Sequence, residues 1–356
     1  MLDQVSQIAR TRLAPQVQEI DGGAYPRDIM QALGAAGAYG AHTGPVDLAQ
    51  TIEAISTVAE TCISTAFCMW CQDALAWYIA SSDNAALKSG LGAQVAAGTV
   101  LGGTGLSNPM KTFFGIEKMR LRARRVAGGY LVKGALPWVS NIGEDGYFGI
   151  VFETAAEGDD TAPKRVMAVA SCAQDGVKTV LDHDFMSMGG TATRAVQFRD
   201  AFVPDDMVLA DPIDAYLRKI RPGFVLMQCG MAIGMIRSSI ALMRQVEGQL
   251  GHVNRYLAEQ PDDFETLLAE AEAELATLVQ TPYDGSISYF RRVVQLRLTG
   301  GEAAVQAAHA AMLHQGARGF SSHAAAQRRL RESYFIAIVT PATKQLRKML
   351  ADLPDS

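Results

Sequence analysis

Aromatic residues make up only 7% of this 356-residue sequence and charged residues only 19%. With 49% hydrophobic residues, that composition excludes a disordered or fibrous chain and leaves ample apolar surface for a core. Basic residues are not in excess. The 32 Lys and Arg face 37 Asp and Glu, for a net charge of −5, which argues against a nucleic-acid partner. A local basic run does occur at Arg328, Arg329 and Arg331. Long apolar runs are missing: the most apolar stretch, residues 224–236, contains Gln228 and falls short of the roughly 20 residues that span a bilayer. The start, Met1-Leu-Asp, has an early acid and no apolar core, so no secretory signal is expected. Cysteine is scarce and odd in number (Cys62, Cys68, Cys71, Cys172, Cys229), which points to reduced thiols and a cytoplasmic setting without membrane partners.

The usual chemical signatures are also thin. Cys68-Met-Trp-Cys71 has a C-x-x-C spacing but lies in an apolar helical run without a second pair, so packing is its expected role. None of His42, His183, His252, His309, His314 or His323 stands at metal-ligand spacing from Cys, Asp or Glu, and no metal is expected. No Gly-x-Ser-x-Gly elbow occurs. Gly103-Thr-Gly105 begins like a dinucleotide fingerprint but lacks its third glycine and its βαβ setting.

What is present is a change of period along the chain. Residues 1–97 read as an all-helical domain, with helices over 2–18, 26–36, 46–60 and 66–80 and breaks at Gly22-Gly23, Gly37, Gly40 and Gly44-Pro45. Residues 98–212 alternate with period two, as in Met119-Arg-Leu-Arg-Ala-Arg, and carry closely spaced turn signals such as Gly128-Gly129, Glu157-Gly-Asp-Asp and Gly189-Gly190. They read as an antiparallel β domain. Residues 213–356 return to helical spacing, with helices over 223–250, 264–278, 303–314 and 322–350. Strands between two helical blocks predict an α+β chain, mainly α, and not a doubly wound sheet.

Several ordered segments resemble the acyl-CoA dehydrogenase superfamily. Gly129-Tyr-Leu-Val-Lys-Gly134-Ala-Leu-Pro-Trp138-Val-Ser140-Asn141 is similar to the segment that precedes the flavin, and Gly105-Leu106-Ser107-Asn108-Pro109 stands where the family has a turn. Met186-Ser-Met-Gly-Gly190, continuing to Phe198-Arg-Asp200-Ala-Phe-Val-Pro204, resembles a later family segment. His314-Gln-Gly316-Ala317-Arg-Gly-Phe320 and the run ending Val339-Thr340-Pro341-Ala342 match the C-terminal ones. The resemblance implies a β-barrel-like middle domain, a C-terminal four-helix bundle, and a homo-oligomer (dimer or tetramer). It also implies bound FAD, with FMN as the alternative. Trp138 would lie beside the flavin ring, Ser140 would donate to its central nitrogen edge, and Leu106 and Ser107 would meet its pyrimidine edge. Gly316 and Ala317 would belong to the cofactor site and Arg221 to the substrate site.

The departures bear on activity. Thr340 occupies the place of the family's catalytic glutamate, and a hydroxyl cannot act unaided as a base near neutral pH. The alternative position used by some relatives is Ile220 or Phe224 here, so no carboxylate is supplied there either. The arginine segment of the ADP half has no counterpart in residues 249–265, where His252 and Arg255 are the candidates to stand in. Leu313, Ala342 and Lys344 replace further family positions. The implied function is a flavin-dependent oxidoreductase acting on an acyl-CoA or similar small organic substrate. Alternatives are a monooxygenase or N-hydroxylase using reduced flavin and oxygen, with a flavin reductase or electron-transfer partner, and a non-catalytic binding or assembly subunit.

Overall fold

A computed structural model of the chain describes residues 1–44, 46–155, 163–180 and 184–354. Pro45, the turn signal at residues 157–160 and His183 therefore lie outside the described residues. The first block is helical: α1 (Leu2–Ile8), α2 (Val17–Asp21), α3 (Arg27–Ala35), α4 (Leu48–Ala59), α5 (Ile63–Ser81), α6 (Ala85–Leu87) and α7 (Ala93–Ala96). The helix expected over 2–18 is interrupted. A π turn at Ala9–Leu13 and a 3-10 turn at Ala14–Gln16 precede α2, because Pro15 supplies no N–H to the ladder.

Helix α5 is the hub. Every residue in it but Ala80 is buried, and its sequence is apolar around the whole circumference, as a helix surrounded by protein requires. Its one amide, Gln72, donates to the carbonyls of Val95 and Val100 at 2.9 Å and accepts from the Gly102 N–H at 2.8 Å. That contact ties α5 to the first strand.

The strands are β1 (Gly102–Thr104), β2 (Arg122–Val126), β3 (Gly129–Val139), β4 (Tyr147–Thr154), β5 (Arg165–Ser171), β6 (Val177–Val180), β7 (Arg194–Pro204) and β8 (Val208–Ala210), with α8 (Ser107–Phe113) after β1. They form one sheet in the order β6-β7-β3-β2-β4-β5-β8, with β1 paired to β4. The sheet is not antiparallel throughout: β1 and β2 both run parallel to β4. These pairings join segments that approach β4 only after helical or turn excursions, so alternation within single strands could not reveal them. One face of the sheet packs its own core around Phe148, Phe152 and Phe198.

The last block contains α9 (Asp214–Leu226), α10 (Cys229–Asn254), α11 (Pro261–Leu278), α12 (Ile287–Gln315), α13 (Ala325–Ile338) and α14 (Thr343–Asp352). Helices α10 to α13 pack against one another as a bundle. Three helices differ from expectation, the one expected over 223–250 being divided between α9 and α10 at Met227–Gln228. Helix α12 begins at Ile287, well before 303, and the helix expected over 322–350 is split where Pro341 cannot continue it. The stretch Asp214–Asn254 is long and apolar enough to cross a membrane by length and composition, but 78% of its apolar window is buried inside the fold, which accounts for that character. The basic run is no surface patch. Arg328 and Arg329 are buried and pair with Glu332 at 3.0 Å, and they donate to the carbonyls of Thr61 and Ala59, clamping α13 to the end of α4 and the turn before α5.

A second buried contact of this kind joins α5 to the Gly40–His42 turn. Asp73 and His42 are both fully buried, with Oδ1 and Nε2 3.3 Å apart. Burial pushes the Asp73 carboxyl up to about 6, and its contact with His42 pulls the other way. An acid raised in this way binds its proton more tightly folded than unfolded. Its stabilising contribution is therefore full below its ordinary value of 3.8 and is lost as pH rises through about 6. We expect this group to lower stability by on the order of 2 kcal/mol between about pH 4.5 and about pH 7, and Asp73→Asn to remove that component. Urea unfolding at the two pH values checks this; identical pH dependence in the variant and the wild type would refute it.

Candidate functional site

A cavity of about 780 Å³ opens between the sheet and the C-terminal helices. Its size falls within the roughly 300–1,000 Å³ typical of small-molecule sites. Its floor is aromatic: Phe335 meets Phe67 edge-on with centroids 4.6 Å apart, Phe67 stacks on Trp70 at 5.6 Å, and Trp70 tilts against Phe224 at 5.0 Å. Phe67 and Trp70 stand at i and i+3 on α5, so one helix face presents both rings. Trp138 faces them from the end of β3, 43% exposed into the opening and 6.0 Å from the Phe185 ring.

Part of the remaining wall is hydroxyl, set among apolar groups such as Met186, Met188, Ile338 and Val339. Ser107 Oγ lies 3.1 Å from Thr340 Oγ1, joining the start of α8 to the turn after α13. Ser140 Oγ lies 2.7 Å from Thr193 Oγ1, which lies 2.8 Å from Thr191 Oγ1. Thr191 Oγ1 donates to the Met188 carbonyl at 2.9 Å. Ser140, Thr193 and Thr191 thus form one chain of hydroxyls that ends on this carbonyl.

The backbone brings these groups together by close approach. A Cβ on Gly102 would lie 2.2 Å from the Tyr147 carbonyl oxygen, and one on Gly103 would lie 2.0 Å from the Ser140 carbonyl oxygen. Those glycines let β1 press against its neighbours; they do not cradle a phosphate. Asn141, in the left-handed region at φ 59°, donates to the Gly102 carbonyl at 2.6 Å and accepts from the Tyr25 hydroxyl at 2.7 Å. Met188 at φ 70° and Ala192 at φ 45° bracket the Gly189–Thr191 turn in the same region. Such strain at non-glycine residues persists only where the surroundings over-determine it.

Charge in the cavity has one sign. Among the described lining residues are Lys111, Arg331, Lys344 and Arg347, and no Asp, Glu or His. Three of these cations are matched from outside the lining. Lys111 meets Glu117 at 3.0 Å, Arg331 meets Asp21 at 2.6 Å, and Arg347 meets Glu302 at 2.6 Å. Arg331 also donates to the Met186 carbonyl at 2.6 Å, holding the 186–188 wall onto α13.

Thr340 is fixed from behind. Gln228 Nε2 donates to the Thr340 carbonyl at 2.9 Å, and Gln228 Oε1 accepts from Arg297 Nε at 2.8 Å. Arg297 is 1% exposed and also donates to the Ile336 carbonyl at 2.5 Å. Burial lowers its guanidinium to about 10.

Of the residues singled out in the sequence, Ser107, Trp138, Ser140 and Thr340 line this one cavity. Leu106 is buried just beneath, its N–H donating to Thr104 Oγ1 at 3.3 Å. Phe224 lies on the floor, and the Ile220 carbonyl accepts from Trp77 Nε1 at 2.9 Å. Three others are not brought into the cavity. Arg221 stacks on the Phe290 ring at 4.0 Å, and burial lowers its pKa. Gly316 and Ala317 are exposed on the turn after α12, near His314, whose carbonyl accepts from Asn254 at 3.0 Å. His252 and Arg255 lie at the adjoining end of α10. Cys68 and Cys71 are buried with thiols pushed far up, the environment of packing groups, although Cys71 touches the cavity. Sequence reasoning missed the aromatic floor, the Thr191–Thr193 chain and the Gln228–Arg297 support. The i, i+3 pair Phe67 and Trp70 was the one local signal.

Residues 1–99 match the family model of the acyl-CoA dehydrogenase N-terminal domain. No curated protein matches the chain by sequence. Among solved structures, butyryl-CoA dehydrogenase from Megasphaera elsdenii superposes with a TM-score of 0.83 at 17% identity, covering 98% of this chain and 96% of that one. KijD3, in complex with FMN and dTDP-3-amino-2,3,6-trideoxy-4-keto-3-methyl-D-glucose, superposes with a TM-score of 0.79 at 19% identity, covering 98% and 91%. Dibenzothiophene monooxygenase from a Paenibacillus species gives 0.81 at 15% identity, covering 97% and 95%.

Gln228→Leu would leave the Thr340 carbonyl and the Arg297 Nε–H without partners. We expect a loss of about 2–5 kcal/mol in denaturant unfolding. A loss below about 1 kcal/mol would mean that the Gln228 amide does not hold the turn.

Proposed function

We propose that this chain, which carries an acyl-CoA dehydrogenase N-terminal domain and the fold of that superfamily throughout, is a flavin-dependent monooxygenase acting on a small, largely apolar substrate. One observation carries the reading: no carboxylate or imidazole is among the described residues lining the cavity, where Thr340 is the residue that the family resemblance puts in place of the base. Removing an α-proton from an acyl thioester needs a positioned acceptor of suitable pKa, and neither Thr340 nor Ser107 provides one.

The cavity suits a flavin ring. Trp138 offers a flat apolar face, the Phe67–Trp70 floor excludes water from the opposite side, and the hydroxyls of Ser107, Ser140 and Thr340 can meet the polar edges of such a ring. A reduced flavin bound there would supply two electrons to dioxygen, one oxygen atom entering the substrate and the other leaving as water. The protein's part is to hold the ring, orient the substrate near Thr340 and keep the floor dry. The likeness to KijD3, described with FMN, and to dibenzothiophene monooxygenase supports this reading over thioester dehydrogenation. A reductase partner would deliver the reduced flavin. The exposed side chains of Val253, Tyr256, Leu313 and Phe320 around Gly316 and Ala317 support assembly as a homo-oligomer.

Titration of the purified protein with FMN and FAD, followed by the visible spectrum, is expected to show saturable binding; failure to bind either overturns the proposal, and a flavin-free chain without turnover fits an assembly subunit instead. Butyryl-CoA is expected to leave a bound flavin oxidised under anaerobic conditions in the wild type. Bleaching of the wild type would restore the dehydrogenase reading. Thr340→Glu is expected to lower oxygen-dependent turnover at least tenfold, or about 1.4 kcal/mol, because the longer carboxylate would replace the Ser107–Thr340 hydroxyl contact and bring a charge to the lining cations.

A further inference from the structure

The hydroxyl chain in the cavity wall has a direction. The Met188 carbonyl can only accept, and it takes both the Thr191 N–H at 3.2 Å and the Thr191 Oγ1 proton at 2.9 Å. Each hydroxyl has one proton, so Thr193 must donate to Thr191, and Ser140 must donate to Thr193. Ser140, Thr191 and Thr193 are 8%, 1% and 7% exposed, and all three line the cavity. Bulk water is therefore a poor competitor for these protons. The left-handed backbone at Met188 and Ala192 holds the turn that aims the terminal carbonyl. Ser140 consequently shows the cavity lone pairs and no proton.

Trp138, near the end of β3, and Ser140, just beyond it, both line the cavity. A planar ring laid on Trp138 passes its edge by Ser140. From this geometry we infer that Ser140 selects the hydrogen-bonding state of that edge: it favours a ring carrying an N–H there over one carrying a bare nitrogen. On the flavin reading proposed above, on which this inference rests, the cavity discriminates by oxidation state. Two-electron reduction converts acceptor nitrogens of the ring into N–H donors. The oxidised ring sets lone pair against lone pair, whereas the reduced ring gives Ser140 a partner. Thr191, which need not touch the ligand, is the positioning residue that sets this polarity.

The test is anaerobic titration with FMN, oxidised and dithionite-reduced, read by quenching of tryptophan fluorescence. Wild-type protein is expected to bind reduced FMN about five- to tenfold more tightly than oxidised FMN, the value of one well-placed hydrogen bond. Thr191→Val frees the Thr193 and Ser140 protons to turn outward, and the ratio is expected to fall to within about twofold of one. Thr191→Ser, which keeps the chain, is expected to retain the wild-type ratio. Should Thr191→Val fail to fold, Thr193→Val breaks the chain one link on and is expected to give the same loss. A wild-type ratio near one, or a ratio unchanged when the chain is broken, overturns the inference while leaving flavin binding intact. Binding of neither form overturns the flavin reading and this inference together.

Discussion

The cavity depends on a buried guanidinium, that of Arg297, which has no carboxylate partner among the described residues. Arg297 lies in the middle of α12 and makes its hydrogen bonds to a side-chain amide and a backbone carbonyl. Burying a charge among neutral dipoles is costly, and burial lowers the Arg297 pKa accordingly. Gln228 resolves the geometry because an amide has two faces: one accepts from the guanidinium and the other donates to the Thr340 carbonyl. The guanidinium also holds the Ile336 carbonyl, so two points of the segment ending α13 are fixed from one side chain. Pro341 then prevents the helix from continuing. Thr340 emerges at a set position, facing Ser107.

The opposing wall is set by a different economy of space. Helix α5 is buried on all sides, so whatever packs on it must come close. Gly102 and Gly103 allow that approach, Gln72 and Asn141 bind the Gly102 backbone from two directions, and the segment carrying Trp138 and Ser140 is thereby set against α5. Arg331 then fastens the 186–188 wall to α13 and to Asp21. The three walls come from three regions of the chain and meet through polar contacts that leave the floor apolar.

That division explains what could be read in the sequence. The helix, strand, helix order was legible because period and turn chemistry are local, and so were Ser107, Trp138, Ser140 and Thr340, each carried by a contiguous motif. The partners that orient them were not. Ser140 finds Thr193 53 positions away, and Gln228 finds Arg297 69 positions away. No spacing rule on a single element links such pairs. The same limit applies to hydrogen-bond networks: the chain from Ser140 through Thr193 and Thr191 to the Met188 carbonyl joins residues that no local pattern links. Arg328 and Arg329 read as a basic run because Glu332, three and four residues on, could equally have faced solvent. Burial against the Thr61 and Ala59 carbonyls decided otherwise. Gly103 and Gly105 resembled a phosphate loop because glycine marks any close backbone approach, whatever the approaching group is.

The two features of the wall constrain the chemistry together. A hydroxyl chain that ends on a carbonyl cannot relay a proton, since the last acceptor has no ionisable state within reach. Among the described lining residues no carboxylate or imidazole is present to take up a proton near neutral pH. Cys71 does not change this, because burial holds its thiol protonated. The protein can therefore orient and desolvate what it binds, but it cannot trade protons with it by way of these groups. Reactions whose difficulty lies in proton abstraction are poorly served by such a site. Reactions in which electrons arrive with a reduced ligand, and protons move between that ligand, dioxygen and water, place only positional demands on the wall. Those are the demands that Arg297, Gln228, Thr191 and Thr193 meet.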